Sequence, residues 1–248
     1  MKFFKEHLLS SFFFLSALAS IISLFFPIFQ SNQLATIALL FFVATLIILL
    51  FKLILGINEF TETSYPEDYS TNSSFIKYST FDGIRISYEV YKSIQCKRLY
   101  KTYYEYDFKW SGKNEPKISS KLQNFKKTIK NNEIGLDKAI LEYPEPLYFN
   151  QSAIIHFLAE LNDPDQVSKP YVCVKIDYKI NILHFRIELK HRNNIQYKIE
   201  RRKIDIQVAA EYELLEKFNV EGNSFEYHLI NPEIGYFYRI VWDEQKHE

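Results

Sequence analysis

Seven arginines lie in or beside segments where apolar and polar residues alternate: Arg85, Arg98, Arg186, Arg192, Arg201, Arg202 and Arg239. A guanidinium on a strand can fork onto a phosphate through two parallel N–H bonds, and a neighbouring aromatic ring can stack on a base. The chemistry this combination offers is capture of a small nucleotide. Arg85, Arg98, Tyr104, Trp110, Arg186 and Arg201 form the candidate ligand-binding set. A structural reading competes with it. Strand arginines also serve as solvated partners of glutamates across a ladder, and Tyr100, Tyr104, Tyr106, Phe108 and Trp110, which share one strand face, also suit a core.

Catalysis has less to draw on. The histidines His7, His156, His184, His191, His228 and His247 form no His-x-x-x-His pair and stand at no ligand spacing from a cysteine. His184 and His191 have opposite parity on one strand region, so they are expected on opposite sheet faces. There is no nucleophile elbow and no glycine-rich phosphate loop. Glu105, Asp107, Glu142 and Glu145 read as solvated strand residues. The expectation is a protein with no catalytic residues, no metal and no cofactor. Cys96 and Cys173 are far apart, which fits a reducing compartment. With 30 basic and 30 acidic residues the net charge is zero, so a polynucleotide partner is not expected.

The stretch that must anchor these groups is Leu8 to Phe51, which carries no ionisable side chain. It breaks once, at Gln30 to Gln33, leaving residues 8–29 and 34–55 as two segments near the ~20 residues a bilayer crossing needs. This predicts a transmembrane hairpin over residues 1–57. Lys2, Lys5 and Lys52 flank the spans while the short loop is uncharged, which places both termini on the cytoplasmic side of the membrane. A signal peptide cleaved after Ala19 is the alternative, weakened by an apolar run that continues to Phe29. Ser16, Ser20 and Ser23 form a strip of small residues suited to close packing of transmembrane helices.

Residues 58–80 are polar and rich in Ser and Thr, and read as a linker. From 81 to 248 the pattern is mostly of period two, as in Ile84 to Val90, Tyr100 to Trp110, Tyr171 to Tyr178 and Ile182 to Leu189. Parity slips around Arg201-Arg202-Lys203, which predicts a β-bulge there. Pro116 to Asn131 differs: Ile118, Leu122, Phe125 and Ile129 fit one stripe of an amphipathic helix with lysines around it. The expected fold class is therefore a two-helix transmembrane hairpin plus an all-β domain. That domain would be an antiparallel sandwich or barrel of about eight or nine strands with one amphipathic helix.

The uncharged hairpin followed by alternating strands from Ile84 to Trp242 resembles a group of bacterial antiphage effectors. These are the two-transmembrane, β-strand-rich proteins of cyclic-oligonucleotide signalling systems (CBASS), and the similar membrane effectors of Panoptes and type III CRISPR systems. The resemblance implies a cytoplasmic β-domain that senses a cyclic nucleotide and controls oligomerisation and membrane disruption, with the lipid bilayer, a nucleotide second messenger and further copies of the chain as partners. It assigns no site residue. The alternative is a membrane-tethered adaptor that binds a protein and leaves the membrane intact.

Overall fold

A computed structural model describes residues 33–130, 136–204 and 211–242. The chain divides into two compact units, residues 1–67 and 68–248. The first is described through one helix, α1 (Gln33–Ser64), about 48 Å long at 1.5 Å per residue. An 18-residue window within Leu39–Ser64 has a mean hydropathy of 2.8 and none of that window is buried, so α1 is long and apolar enough to cross a membrane. Phe41, Phe42, Ile47, Phe51 and Leu53 all stand exposed along it.

This corrects the expected hairpin. The described residues hold one such helix, not two. The first expected span, 8–29, and with it Ser16, Ser20 and Ser23, lies outside the described residues. The helix also continues past Ile57 through Asn58–Ser64, where the hydroxyls of Thr61 and Thr63 donate back to the carbonyls of Asn58, Glu59 and Phe60.

The second unit is built of β1 (Tyr69–Thr80), β2 (Arg85–Cys96), β3 (Tyr100–Phe108), β4 (Lys117–Ser119), β5 (Asn124–Ile129), β6 (Asp137–Tyr148) and β7 (Ser152–Asn162). It continues with β8 (Tyr171–Ile176), β9 (Ile182–Leu189), β10 (Ile195–Lys203), β11 (Glu213–Val220), β12 (Ser224–Ile230) and β13 (Tyr236–Trp242). They form three sheets, ordered β12-β9-β1-β2-β7-β4, β11-β10-β13-β8 and β3-β6-β5. One core joins them: Ile76, Val90, Ile94, Phe157 and Phe185 from the first, Tyr197, Ile199 and Ile240 from the second, and Tyr104, Tyr106 and Leu141 from the third are all buried. Tyr106 stacks on Phe157 at 4.2 Å and Tyr78 tilts against Trp242 at 4.8 Å, so ring contacts stitch sheet to sheet.

Here too the expectation needs correction. Thirteen strands occur among the described residues, and β1 runs parallel to β9, so the domain is neither wholly antiparallel nor a single sandwich or barrel of eight or nine strands. The first surplus strand is β1, in the stretch expected as linker. Its inward residues Ser74, Ile76, Tyr78 and Thr80 alternate with Phe75, Lys77 and Ser79, and Thr71, Ser74 and Thr80 are buried among the core residues.

The expected amphipathic helix is instead β4, a turn and β5. Its would-be stripe is not buried, for Leu122, Phe125 and Ile129 are 44%, 37% and 41% exposed. The backbone of this segment takes its bonds from β7 and β6. Ser120 Oγ accepts from the N–H groups of Leu122 and Gln123, at 3.2 and 3.0 Å, which closes the turn between the two strands.

In β6 the prolines do not stop the strand. Between the pairs Tyr103–Glu142 and Lys101–Leu147 only Thr102 faces Tyr143 to Pro146, so Pro144 and Pro146 sit in a bulge where no ladder N–H is required. The other bulge is also relocated. β10 pairs with β13 without interruption from Tyr197 to Lys203, and the extra residue is Leu215 of β11, opposite the Ile199–Glu200 step.

Candidate functional site

The turn between β1 and β2 organises a cleft that contains one sequence-predicted ligand residue, Arg85. Asp82 accepts from the backbone N–H groups of Ile84 and Arg85 at 2.9 and 2.8 Å and from Arg85 Nε at 2.9 Å. These bonds, the backbone pair first, hold the Asp82 carboxyl down to about 2. Thr80 Oγ1 accepts from Gly83 N–H at 2.9 Å, and Gly83 has φ of 80°. A Cβ at Gly83 would meet His191 Nε2 at 3.1 Å, so both the backbone angle and the close approach require glycine.

The turn fixed in this way presents Phe81, 74% exposed, and Arg85, whose side chain is 83% exposed. Beside them Lys190 donates its N–H to Thr80 O at 2.9 Å, while its amine has no ion-pair partner among the described residues. The cleft holds about 610 Å³ between this turn and the ends of β7 and β4, inside the range of about 300–1,000 Å³ typical of small-ligand sites. Its far wall carries the pair Lys117–Glu160 at 3.1 Å, and Glu115, which is bound to Lys130. The two carboxylates are thus engaged by lysines; Arg85 spends its Nε on Asp82, which leaves its terminal nitrogens, with the Lys190 amine, for an incoming anion. Chemically the cleft can hold a phosphate and lay a planar group on Phe81.

The remaining members of the candidate set are placed elsewhere. Arg98 pairs with Asp68 at 2.8 Å beside the start of β1. Tyr104 is core, 6% exposed, and Trp110 packs partly buried against that core. Arg186 lies on the outer face of β9, held by Glu188 at 2.7 Å and Glu226 at 3.3 Å. Arg201 is gripped by Glu213 at 2.7 Å and Glu233 at 2.8 Å, in a different sheet. Arg85 and Arg186 share the outer face of the six-stranded sheet. From the pairing of Arg186 with Lys77 and Lys77 with Glu89, they stand two strands and four residues apart, roughly 16 Å.

On the same outer face, five rings stand in register across five strands: His228, His184, Phe75, Tyr91 and His156, with centroids 3.9, 4.8, 6.4 and 4.6 Å apart in turn. His184 and His228 are stacked 16° from parallel, so their in-plane lone pairs do not converge on one ion. Burial and the neighbouring His228 lower the affinity of His184 for a proton. No group of three or more His, Cys, Asp or Glu stands ready to hold a metal among the described residues.

At the other end of the row, His156 and Glu89 imitate a catalytic dyad at 2.9 Å. The imidazole is not available as a base. Its Nδ1 accepts from the Lys121 N–H at 2.8 Å, which puts the ring proton on Nε2, donated to Glu89, and the side chain is fully buried. Burial alone would raise the Glu89 carboxyl, but donors from Lys121, His156 and Tyr91 outweigh it and hold it at about 2. With Gln123 accepting from His156 N–H at 2.9 Å and donating to Ile154 O at 2.9 Å, the cluster ties the β4–β5 turn onto β7.

One further group had a legible but unread signal. Lys92 follows Ile86, Tyr88 and Val90 in the inward row of β2 and precedes Ile94 and Cys96, so a lysine occupies an apolar register. Its amine lies 5.0 Å from the Tyr106 ring centre and 6.0 Å from that of Tyr104. Burial lowers its pKa, against the attraction of Tyr178 and Asp107. Two such rings contribute about 1–2 kcal/mol to an ammonium, less than the several kcal/mol that desolvation costs. The cleft had its own signal in Asp82-Gly83, a turn dipeptide between two alternating runs.

No protein-family model matches the chain, and no curated protein does. Among solved structures, an M1 zinc metallopeptidase from Deinococcus radiodurans aligns at 8% identity and a TM-score of 0.40, over 71% of this chain and 42% of that one. Native yeast LTA4 hydrolase aligns at 10% and 0.41, over 71% and 30%. A putative protease from Parabacteroides distasonis aligns at 4% and 0.40, over 71% and 40%. The chain spans less than half the length of each, and at these scores none of their activities transfers to it.

Proposed function

We propose that the protein is a bacterial antiphage membrane effector with no catalytic activity of its own. Its β-domain takes a cyclic nucleotide in the cleft at the β1–β2 turn, and occupancy governs what α1 does in the inner membrane. The observation that carries this reading is the pairing of exposed Phe81 with Arg85 and the unpaired amine of Lys190 in one cleft of about 610 Å³. A helix suited to span a bilayer supports the membrane half. Lys52 toward the carboxy-terminal side of its apolar run, and the free thiols Cys96 and Cys173, favour a cytoplasmic β-domain. The mechanism is a population shift: ligand changes the self-association of β-domains, and association sets the local density of helices, so that weak interactions between them add up.

The test is propidium iodide entry into cells expressing the full chain or a form lacking residues 1–64, with cyclic di- and trinucleotide synthases expressed alongside. Entry governed by one nucleotide, and seen with the full chain alone, is the expected result. Intact membranes under every nucleotide and in its absence would overturn the reading. A tethered protein-binding adaptor is the second reading, favoured by the half-exposed Phe75, Tyr91 and His184 row and by Ile154 and Ile230, 55% and 65% exposed on that face. It predicts recovery of one protein in a pull-down with the membrane potential preserved.

A further inference from the structure

Lys92 and Ser74 are direct partners across the antiparallel β1–β2 pair and face the same side, so their Cβ atoms stand about 5 Å apart. Ser74 is 2% exposed and its Oγ has no hydrogen-bond partner. Buried hydroxyls are nearly always satisfied, so an orphan facing a lysine on an apolar face marks a place where a polar atom is wanted. The amine has no hydrogen-bond or ion-pair partner among the described residues either; it faces the rings of Tyr104 and Tyr106, with Tyr178 and the Asp107 carboxylate attracting it from further off. Lys92 as a whole is half-buried, so the residue borders solvent although its amine is desolvated.

We propose that Lys92 is a covalent capture site for a small neutral aldehyde, with Ser74 as the positioning residue that donates its hydroxyl proton to the carbonyl oxygen. The electron-rich ring faces disfavour a carboxylate or phosphate and accept an uncharged carbonyl compound. The neutral amine attacks the carbonyl carbon, one proton passes from nitrogen to oxygen, and the carbinolamine forms. Loss of that oxygen as water, with the second nitrogen proton, leaves the imine, and water reverses the step. Desolvation of the amine supplies the neutral nucleophile that an exposed lysine lacks near neutral pH.

The test uses the full chain in detergent, limiting formaldehyde and cyanoborohydride at pH 6.5, with peptide mapping of N-methyl lysine over time. The hydride reduces each imine as it forms. Lys92 is expected to take label several-fold faster than exposed Lys190, because the buried site disfavours the protonated amine and the Ser74 hydroxyl holds the aldehyde oxygen. Ser74→Ala is expected to slow Lys92 about three-fold or more and leave Lys190 unchanged, with Trp110 and Trp242 fluorescence confirming the fold. Labelling of Lys92 no faster than Lys190 would overturn the proposal. An unchanged Lys92 rate in Ser74→Ala would overturn the role of Ser74.

Discussion

Replacing Glu89 by Gln removes one negative charge and leaves the shape of the His156 cluster nearly unchanged. The carboxyl is held at about 2 against a usual 4.5, which corresponds to about 3 kcal/mol favouring the folded, ionised state. Its main cation, Lys121, is 63% exposed at the side chain, so solvent screening trims that figure. Glu89→Gln should therefore cost about 2 kcal/mol at pH 7, since a neutral acceptor still receives the His156 proton but holds Lys121 and Tyr91 more weakly. Because the folded value is depressed, the contribution is complete above about pH 4.5 and is lost as pH falls toward about 2. Both tryptophans, Trp110 and Trp242, lie in the β-domain, so urea unfolding of the full chain in detergent can be followed by their fluorescence. Wild type should lose stability between pH 5 and pH 3 more steeply than Glu89→Gln, and the two should converge at the acid end. A variant within 0.5 kcal/mol of wild type at pH 7, with the same pH slope, would refute the reasoning.

Other perturbations probe the turn and the thiols. Gly83→Ala must place a Cβ at φ of 80° and 3.1 Å from His191 Nε2, so it should lower stability by about 1–2 kcal/mol. An unchanged urea midpoint would mean that the turn is not held as described. Burial raises the Cys96 thiol and pushes that of Cys173 up to about 11. Neither should react with a disulfide reagent at pH 8 until urea unfolds the domain, and prompt reaction of the native chain would contradict that.

Much of the fold was open to reading where one face is apolar and the other polar. β9 is the clearest case: Leu183, Phe185, Ile187 and Leu189 are buried and Ile182 is exposed, as its alternation requires. β1 was hidden because several of its inward residues are Thr71, Ser74 and Thr80, and a polar segment with buried hydroxyls reads as linker. The span from Pro116 to Asn131 misled for the opposite reason. Its apolar residues fall at helical spacing, but what holds it, the ladders to β7 and β6 and the tie from Lys121 N–H to a histidine 35 positions away, lies outside any local window. The first expected span of the hairpin lies outside the described residues, and the second extends further than its apolar composition marks, to Ser64.

The site shows the same division. Arg85 could be singled out as a cation at a strand end, but Phe81, Lys117, Glu160 and Lys190 meet it only because the sheet order places β9, β1, β2, β7 and β4 side by side. The other five candidates lie elsewhere in the domain, and engagement alone does not set them apart, since Arg85 also has a carboxylate partner in Asp82. Arg98, Arg186 and Arg201 have carboxylate partners, and Tyr104 and Trp110 pack in or against the core.

The most direct measurement is isothermal titration of the full chain in detergent with a panel of cyclic di- and trinucleotides, repeated on the double variant Arg85→Ala, Lys190→Ala. Removing two charge-assisted hydrogen bonds, each contributing about 1.5 kcal/mol or more, implies weakening of about 100-fold or more. The account predicts one nucleotide that binds wild type and fails to bind the variant. Heat from none of them, or binding that the double variant retains, would contradict it.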